Sequence, residues 1–174
     1  MKKIVKILAL TVALLCVVSA FVACTAKSDK NDNNDKGSAG VEFYFTYEET
    51  KIELDKKADS VLSALGEAND EISLGDCGGF GTQTRYEYDN FDLYTVKNDS
   101  GESIDQITFS NDLVETSKGI CIGDSSEKVL KAYGEPSVKK DDKIEYEEGS
   151  LLLQFSLEEN GDVKGINYIR ITSK

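Results

Sequence analysis

Polar and apolar residues trade places in several distinct rhythms along this chain. TRYEYDNFDLYTV (84–96) alternates on either side of Asp89-Asn90, which predicts a β-hairpin with a tight turn there. Tyr86 and Tyr88 share one face of that hairpin, and Arg85, Glu87 and Asp89 share the other. DKIEYEEGSLLLQF (142–155) repeats the pattern and turns near Glu148-Gly149. A further strand is expected after Gly101 and another after Gly161. EFYFTYEETKIEL (42–54) and LVETSKGICI (113–122) each predict a shorter hairpin.

Two stretches keep a helical rhythm instead. VLSALGEA (61–68) is echoed by VLKAYGEP (129–136). In the second, Val129, Leu130 and Tyr133 fall on one helical face. Asp124 is placed to cap the helix with Glu127 at N3, Gly134 suits the left-handed residue past its end, and Pro136 forbids continuation. The first copy has Ala68 where the second has Pro136, so its stop is softer. Helices this short are marginal alone and must pack on a sheet.

The echo extends beyond the helices. Ile52-Glu53-Leu54 aligns with Ile120-Cys121-Ile122, and Ile104, Ile107 and Phe109 align with Val163, Ile166 and Tyr168 at the same spacing. The expected fold is therefore α+β. It consists of two tandem β-β-α-β-β-β repeats, residues 41–112 and 113–174, each a short helix on one face of an antiparallel sheet. Leu152, Ile169 and Ile171 alternate away from the core face, and contact between the repeats is expected to cover them, with a partner-binding face as the alternative.

The N-terminus carries a different signal. MKKIVK precedes the apolar run ILALTVALLCVVSAFVA, which ends in small residues before Cys24. Residues 1–23 thus read as a secretory signal peptide. F-V-A-C resembles a bacterial lipobox, and the resemblance implies that Cys24 becomes the lipidated N-terminal residue. TAKSDKNDNNDKGSAG (25–40) contains no Val, Ile, Leu or aromatic residue, so residues 24–40 are expected to be a disordered tether. The expected location is the outer face of the cell membrane, held by lipid.

The 174-residue chain has a net charge of −12, and loss of Lys2, Lys3 and Lys6 with the leader makes the remainder more acidic. Such a surface is repelled by nucleic acid and by anionic lipid head groups. The sequence has no His and no Trp, which removes Ser-His-Asp triads and most zinc sites. Paired carboxylates are inevitable among 32 acidic residues and carry no signal. GDCGGFG (75–81) lacks the Lys-Ser/Thr of a phosphate-binding loop, and DKNDNNDKG does not fit a calcium loop. No catalytic residue, metal or cofactor is expected. Cys16 leaves with the leader. Cys77 and Cys121 remain outside the cell, where a disulfide between them is expected, with two unpaired thiols as the alternative.

Gly119, Ile120, Ile122, Gly123, Asp124, Val129, Leu130, Gly134, Pro136, Tyr146, Leu152, Phe155, Val163 and Ile166 form a pattern. It resembles that of the small outer-membrane assembly lipoproteins (SmpA/OmlA-like) and of the doubled β-lactamase inhibitory protein. That resemblance implies a non-enzymatic role in binding an envelope or secreted protein. Two alternatives are inhibition of an exported or cell-wall enzyme and reception of a small ligand. Tyr44, Arg85, Glu87 and Tyr94 are the candidate contacts, as outward side chains on predicted strands.

Overall fold

The computed structural model describes residues 40–171 except residue 77. The leader, Cys24, all of the tether except Gly40, and Cys77 lie outside the described residues.

β1 (Tyr44–Tyr47) and β2 (Thr50–Glu53) form a hairpin of their own, with Phe45 opposite Ile52. α1 (Ala58–Leu65) follows, then β3 (Asp70–Asp76), β4 (Thr82–Glu87), β5 (Phe91–Asn98) and β6 (Gly101–Phe109). α2 (Ser126–Tyr133) is succeeded by β7 (Val138–Lys139), β8 (Lys143–Glu148), β9 (Leu151–Leu157) and β10 (Val163–Arg170). The last eight strands make one antiparallel sheet in the order β3-β4-β5-β6-β10-β9-β8-β7. No helix among the described residues is long and apolar enough to cross a membrane.

This corrects the expected fold class. The described protein is mostly β, with two short helices and a single eight-stranded sheet, and it does not divide into two α+β repeats that each carry a helix on their own sheet. The physical reason lies at the middle of the sheet. β6 and β10 pair through Thr108–Asn167, Ile107–Tyr168 and Gln106–Ile169, so neither leaves an exposed edge. A unit of half this size would bury little surface alone, and fusing the strands removes two edges. The hairpin predicted over 113–122 is also absent. Thr116 forms a turn there, its amide donating to the Ile120 carbonyl at 2.9 Å and its Oγ1 accepting from the Ile120 amide at 3.1 Å.

One face of the sheet carries the core. Tyr86, Leu93, Ile107, Tyr168, Leu153 and Tyr146 follow one another in register across six strands. The β1–β2 hairpin lies on this face. Phe45 meets Phe91 and Phe109 edge-on at centroid distances of 5.0 and 4.9 Å, and the Tyr168 hydroxyl donates to the Tyr44 carbonyl. α2 packs there through Tyr133, whose ring lies 5.2 Å from Tyr146 and 5.5 Å from Phe155. α1 contributes Ala58 and Val61 to the same buried cluster.

The α2 cap differs by one residue from expectation. Ser125, not Asp124, occupies the N-cap and accepts from the Lys128 amide at 3.3 Å. Asp124 instead accepts from the Cys121 amide at 2.9 Å and from Lys128 Nζ at 2.7 Å. Although burial works against it, these donors hold the Asp124 carboxyl below the usual range.

Candidate binding surface

Alternation along each strand sends every second side chain to the face opposite the core. Ile72, Arg85, Tyr94, Gln106, Ile169 and Leu152 make one continuous row there, each the register partner of the next. A parallel row runs Glu87, Asp92, Thr108, Asn167, Gln154 and Glu145. Hydrogen bonds run within this second row and link it to the first. Gln106 Nε2 donates to Thr108 Oγ1 at 3.1 Å, and Thr108 Oγ1 donates to Asn167 Oδ1 at 3.0 Å. Gln154 Nε2 and Lys143 Nζ both donate to Glu145 Oε1 at 2.7 Å. These donors keep the Glu145 pKa below the usual range although burial pushes it up.

Arg85, Glu87 and Tyr94 are brought together on this face. Arg85 is the register partner of Tyr94, and its guanidinium lies 3.1 Å from Glu87 and 3.7 Å from Asp92. Its Nε is buried without a hydrogen-bond partner among the described residues. Burial raises the Asp92 pKa, against the pull of Arg85. Tyr44 is not part of this group. It sits on the hairpin that covers the core face, with Lys51 Nζ 4.0 Å from its ring centroid.

Leu152 and Ile169 are register partners on the open face. The two halves of the chain meet edge to edge through β6 and β10 rather than face to face, and on this face Leu152 is nonetheless buried and Ile169 half-buried.

The expected Cys77–Cys121 disulfide involves a residue outside the described ones. Asp76 and Gly78, which flank Cys77, lie where β3 leads into β4 at the edge of the sheet. Cys121 lies beside the start of α2, close to the β10 terminus, where the Gly123 amide donates to the Val163 carbonyl at 2.7 Å. Four strand spacings separate β3 from β10 in the sheet order. Cys121 Sγ approaches Asp124 Oδ2 at 3.4 Å, and burial followed by that hydrogen bond raises the thiol pKa.

In the GDCGGFG stretch the Gly79 and Gly81 amides point back to Asp76. Asp76 Oδ1 accepts from the amides of Gly79 and Gly81 at 3.0 and 3.4 Å, so a carboxylate occupies the place a phosphate would need. Gly81 has φ +122°, and a Cβ there would collide with the Lys97 carbonyl oxygen.

The surface that sequence reading missed is β3. All its residues are exposed except half-buried Ile72, and Leu74 is 44% exposed. The signal was present as the alternation Glu71-Ile72-Ser73-Leu74, hidden by the acidic residues before it and Gly75 after it. A depression of about 330 Å³ lies between the end of α1 and β3–β4, lined by Leu62, Glu67, Asn69, Glu71, Tyr86 and Tyr88. Among the described residues no cluster of Cys, Asp and Glu is arranged to hold a metal ion.

No family model matches the chain, and no curated protein does. Among solved structures it is similar to a cysteine-rich secretory protein of Staphylococcus aureus subsp. aureus Mu50. The identity is 16% and the TM-score 0.45, over 67% of this chain and 44% of that one. It is also similar to a DUF4309 family protein of Bacillus subtilis subsp. subtilis str. 168, with 18% identity and a TM-score of 0.39, over 68% of this chain and 82% of that one. The chain thus spans less than half the length of the staphylococcal protein.

Proposed function

We propose that this chain is an extracytoplasmic lipoprotein, anchored through Cys24, that binds another envelope or secreted protein and catalyses no reaction. The observation that carries this reading is the open face of the sheet at its β3 end. There Arg85, Glu87 and Tyr94 converge next to a strand whose outer edge has no partner among the described strands. Aromatic and Arg side chains in a half-buried polar frame are the residue types that anchor protein interfaces. The apolar leader ending at Cys24 and the acidic composition support an exported, lipid-held location.

The test places a photo-crosslinking amino acid at Tyr94 or at Tyr44 in living cells that also receive labelled palmitate. The reading expects a discrete protein adduct from position 94, none from position 44, and label that disappears in Cys24→Ala. Absence of an adduct from Tyr94, or equal adducts from both positions, would overturn the binding surface. Label retained in Cys24→Ala would overturn the anchor.

A further inference from the structure

The two edges of the sheet are unlike. β7 ends one side with only two residues, Val138–Lys139, and Ser137 Oγ beside it accepts the Glu147 amide at 3.0 Å. β3 ends the other side with seven residues, and no described strand covers its outer edge. A long edge presents a row of free amide and carbonyl groups that another strand can satisfy.

The chemistry along β3 says what kind of strand fits. Glu71 is the register partner of Tyr86, so residues added opposite Glu71 lie over the depression beside α1. Glu67, Glu71, Tyr86 and Tyr88 line that depression, and carboxylates beside aromatic rings select a cation. Ile72 is the register partner of Arg85 and faces the other way, with Arg85 standing between it and Tyr94. Residues added opposite Ile72 meet an apolar side chain on the open face, and exposed Leu74 follows two residues along the same strand. The edge also carries Asp70 and Asp76. A second copy of this chain pairing antiparallel about Ser73 would set Asp70 against Asp76, and like charges directly opposite are unfavourable.

We propose that the outer edge of β3 receives an extended segment of a partner protein as a ninth strand, in which Lys or Arg alternates with apolar residues. The cations sit over Glu71 and Tyr86, and the apolar residues sit beside Ile72. This inference rests on the protein-binding reading above and names the partner's chemistry.

The test uses the full chain and fluorescein-labelled peptides. One peptide alternates Lys and Val, one has the same composition with its lysines contiguous, and one alternates Glu and Val. Anisotropy should show the alternating Lys peptide binding at least ~10-fold more tightly than either control, and Glu71→Lys should weaken it by about 10-fold. Of two successive strand residues one points its amide outward, so one of Ile72→Pro and Ser73→Pro should abolish binding while the circular dichroism spectrum is kept. Equal affinity for the alternating and contiguous Lys peptides, or no response to Glu71→Lys, would overturn strand addition. Sedimentation showing that β3 pairs with a second copy would also overturn it. A chain that crosslinks a partner through Tyr94 yet ignores the peptide defeats this inference alone. A chain that binds the peptide through β3 but gives no cellular adduct supports strand addition and defeats the broader reading.

Discussion

The same short sequence echo ends at two helices, and its surroundings differ. At the end of α2, Gly134 takes φ +80° and its carbonyl accepts the Tyr146 hydroxyl at 3.1 Å. Tyr133, Tyr146 and Phe155 then close over the helix end as an aromatic cluster. At the end of α1, Gly66 takes φ +76°, and the Tyr88 hydroxyl there is buried without a partner among the described residues, as is the Tyr133 hydroxyl at the α2 end. Leu65 stands where α2 has Tyr133, and the depression beside β3 remains. The start of each helix differs in the same sense. Ser125 caps α2 with its side chain, while Lys57 at the α1 cap makes no side-chain bond. One end of the sheet is therefore closed by its own side chains. The other keeps a strand with no described partner on its outer edge and a shallow acidic recess.

The largest contrast should appear on truncating the two matched helix positions. Tyr133→Ala removes a buried ring from the aromatic cluster and should cost about 3–5 kcal/mol in urea unfolding. Leu65→Ala removes a half-buried side chain and should cost below ~2 kcal/mol. Equal losses would erase the distinction between the ends. A smaller contrast should separate the two tyrosine hydroxyls. Tyr146→Phe strands the Gly134 carbonyl and should cost about 1 kcal/mol, whereas Tyr88→Phe removes an unpartnered group and should be neutral or slightly stabilising.

Alkali probes the tyrosine hydroxyls in a second way. Burial pushes the Tyr146 hydroxyl up to about 12, and burial together with the nearby Glu102 carboxylate pushes Tyr86 up to about 12. An unfolded tyrosine loses its proton near the ordinary value of 10.0. Between those values the folded chain holds more protons than the unfolded one, so stability is full below pH 10 and falls as pH rises toward 12. Ultraviolet titration should show late-ionising tyrosines in the wild type and one fewer in Tyr146→Phe. Ionisation of every tyrosine near the ordinary value would contradict the burial described.

Sequence periodicity located most of the strands because their core-facing residues keep strict alternation. Leu93, Ile107, Tyr168, Leu153 and Tyr146 were all readable that way. Glycine past each helix end was equally readable, because only its backbone accepts the left-handed angle without strain. The joining of strands into one sheet was not readable. Edge pairing between β6 and β10 uses main-chain groups, and these leave no side-chain signature. β3 was missed for a related reason, since a strand held by one neighbour needs no buried residues of its own. Arg85 and Glu87 were legible as neighbours on one face through strand parity, whereas their closeness to Tyr94 comes from the register of β4 with β5. Tyr44 has the same outward character, but its hairpin lies in another layer, and nothing local in its sequence records that.

The most direct measurement is amide hydrogen exchange of the full chain, with and without the alternating Lys-Val peptide. The account predicts rapid exchange for outward amides of β3, slow exchange through β9, β10 and α2, and at least ~10-fold slowing confined to β3 when the peptide is present. Protection of β3 equal to that of β9 in the free chain, or exchange at β3 indifferent to the peptide, would contradict it.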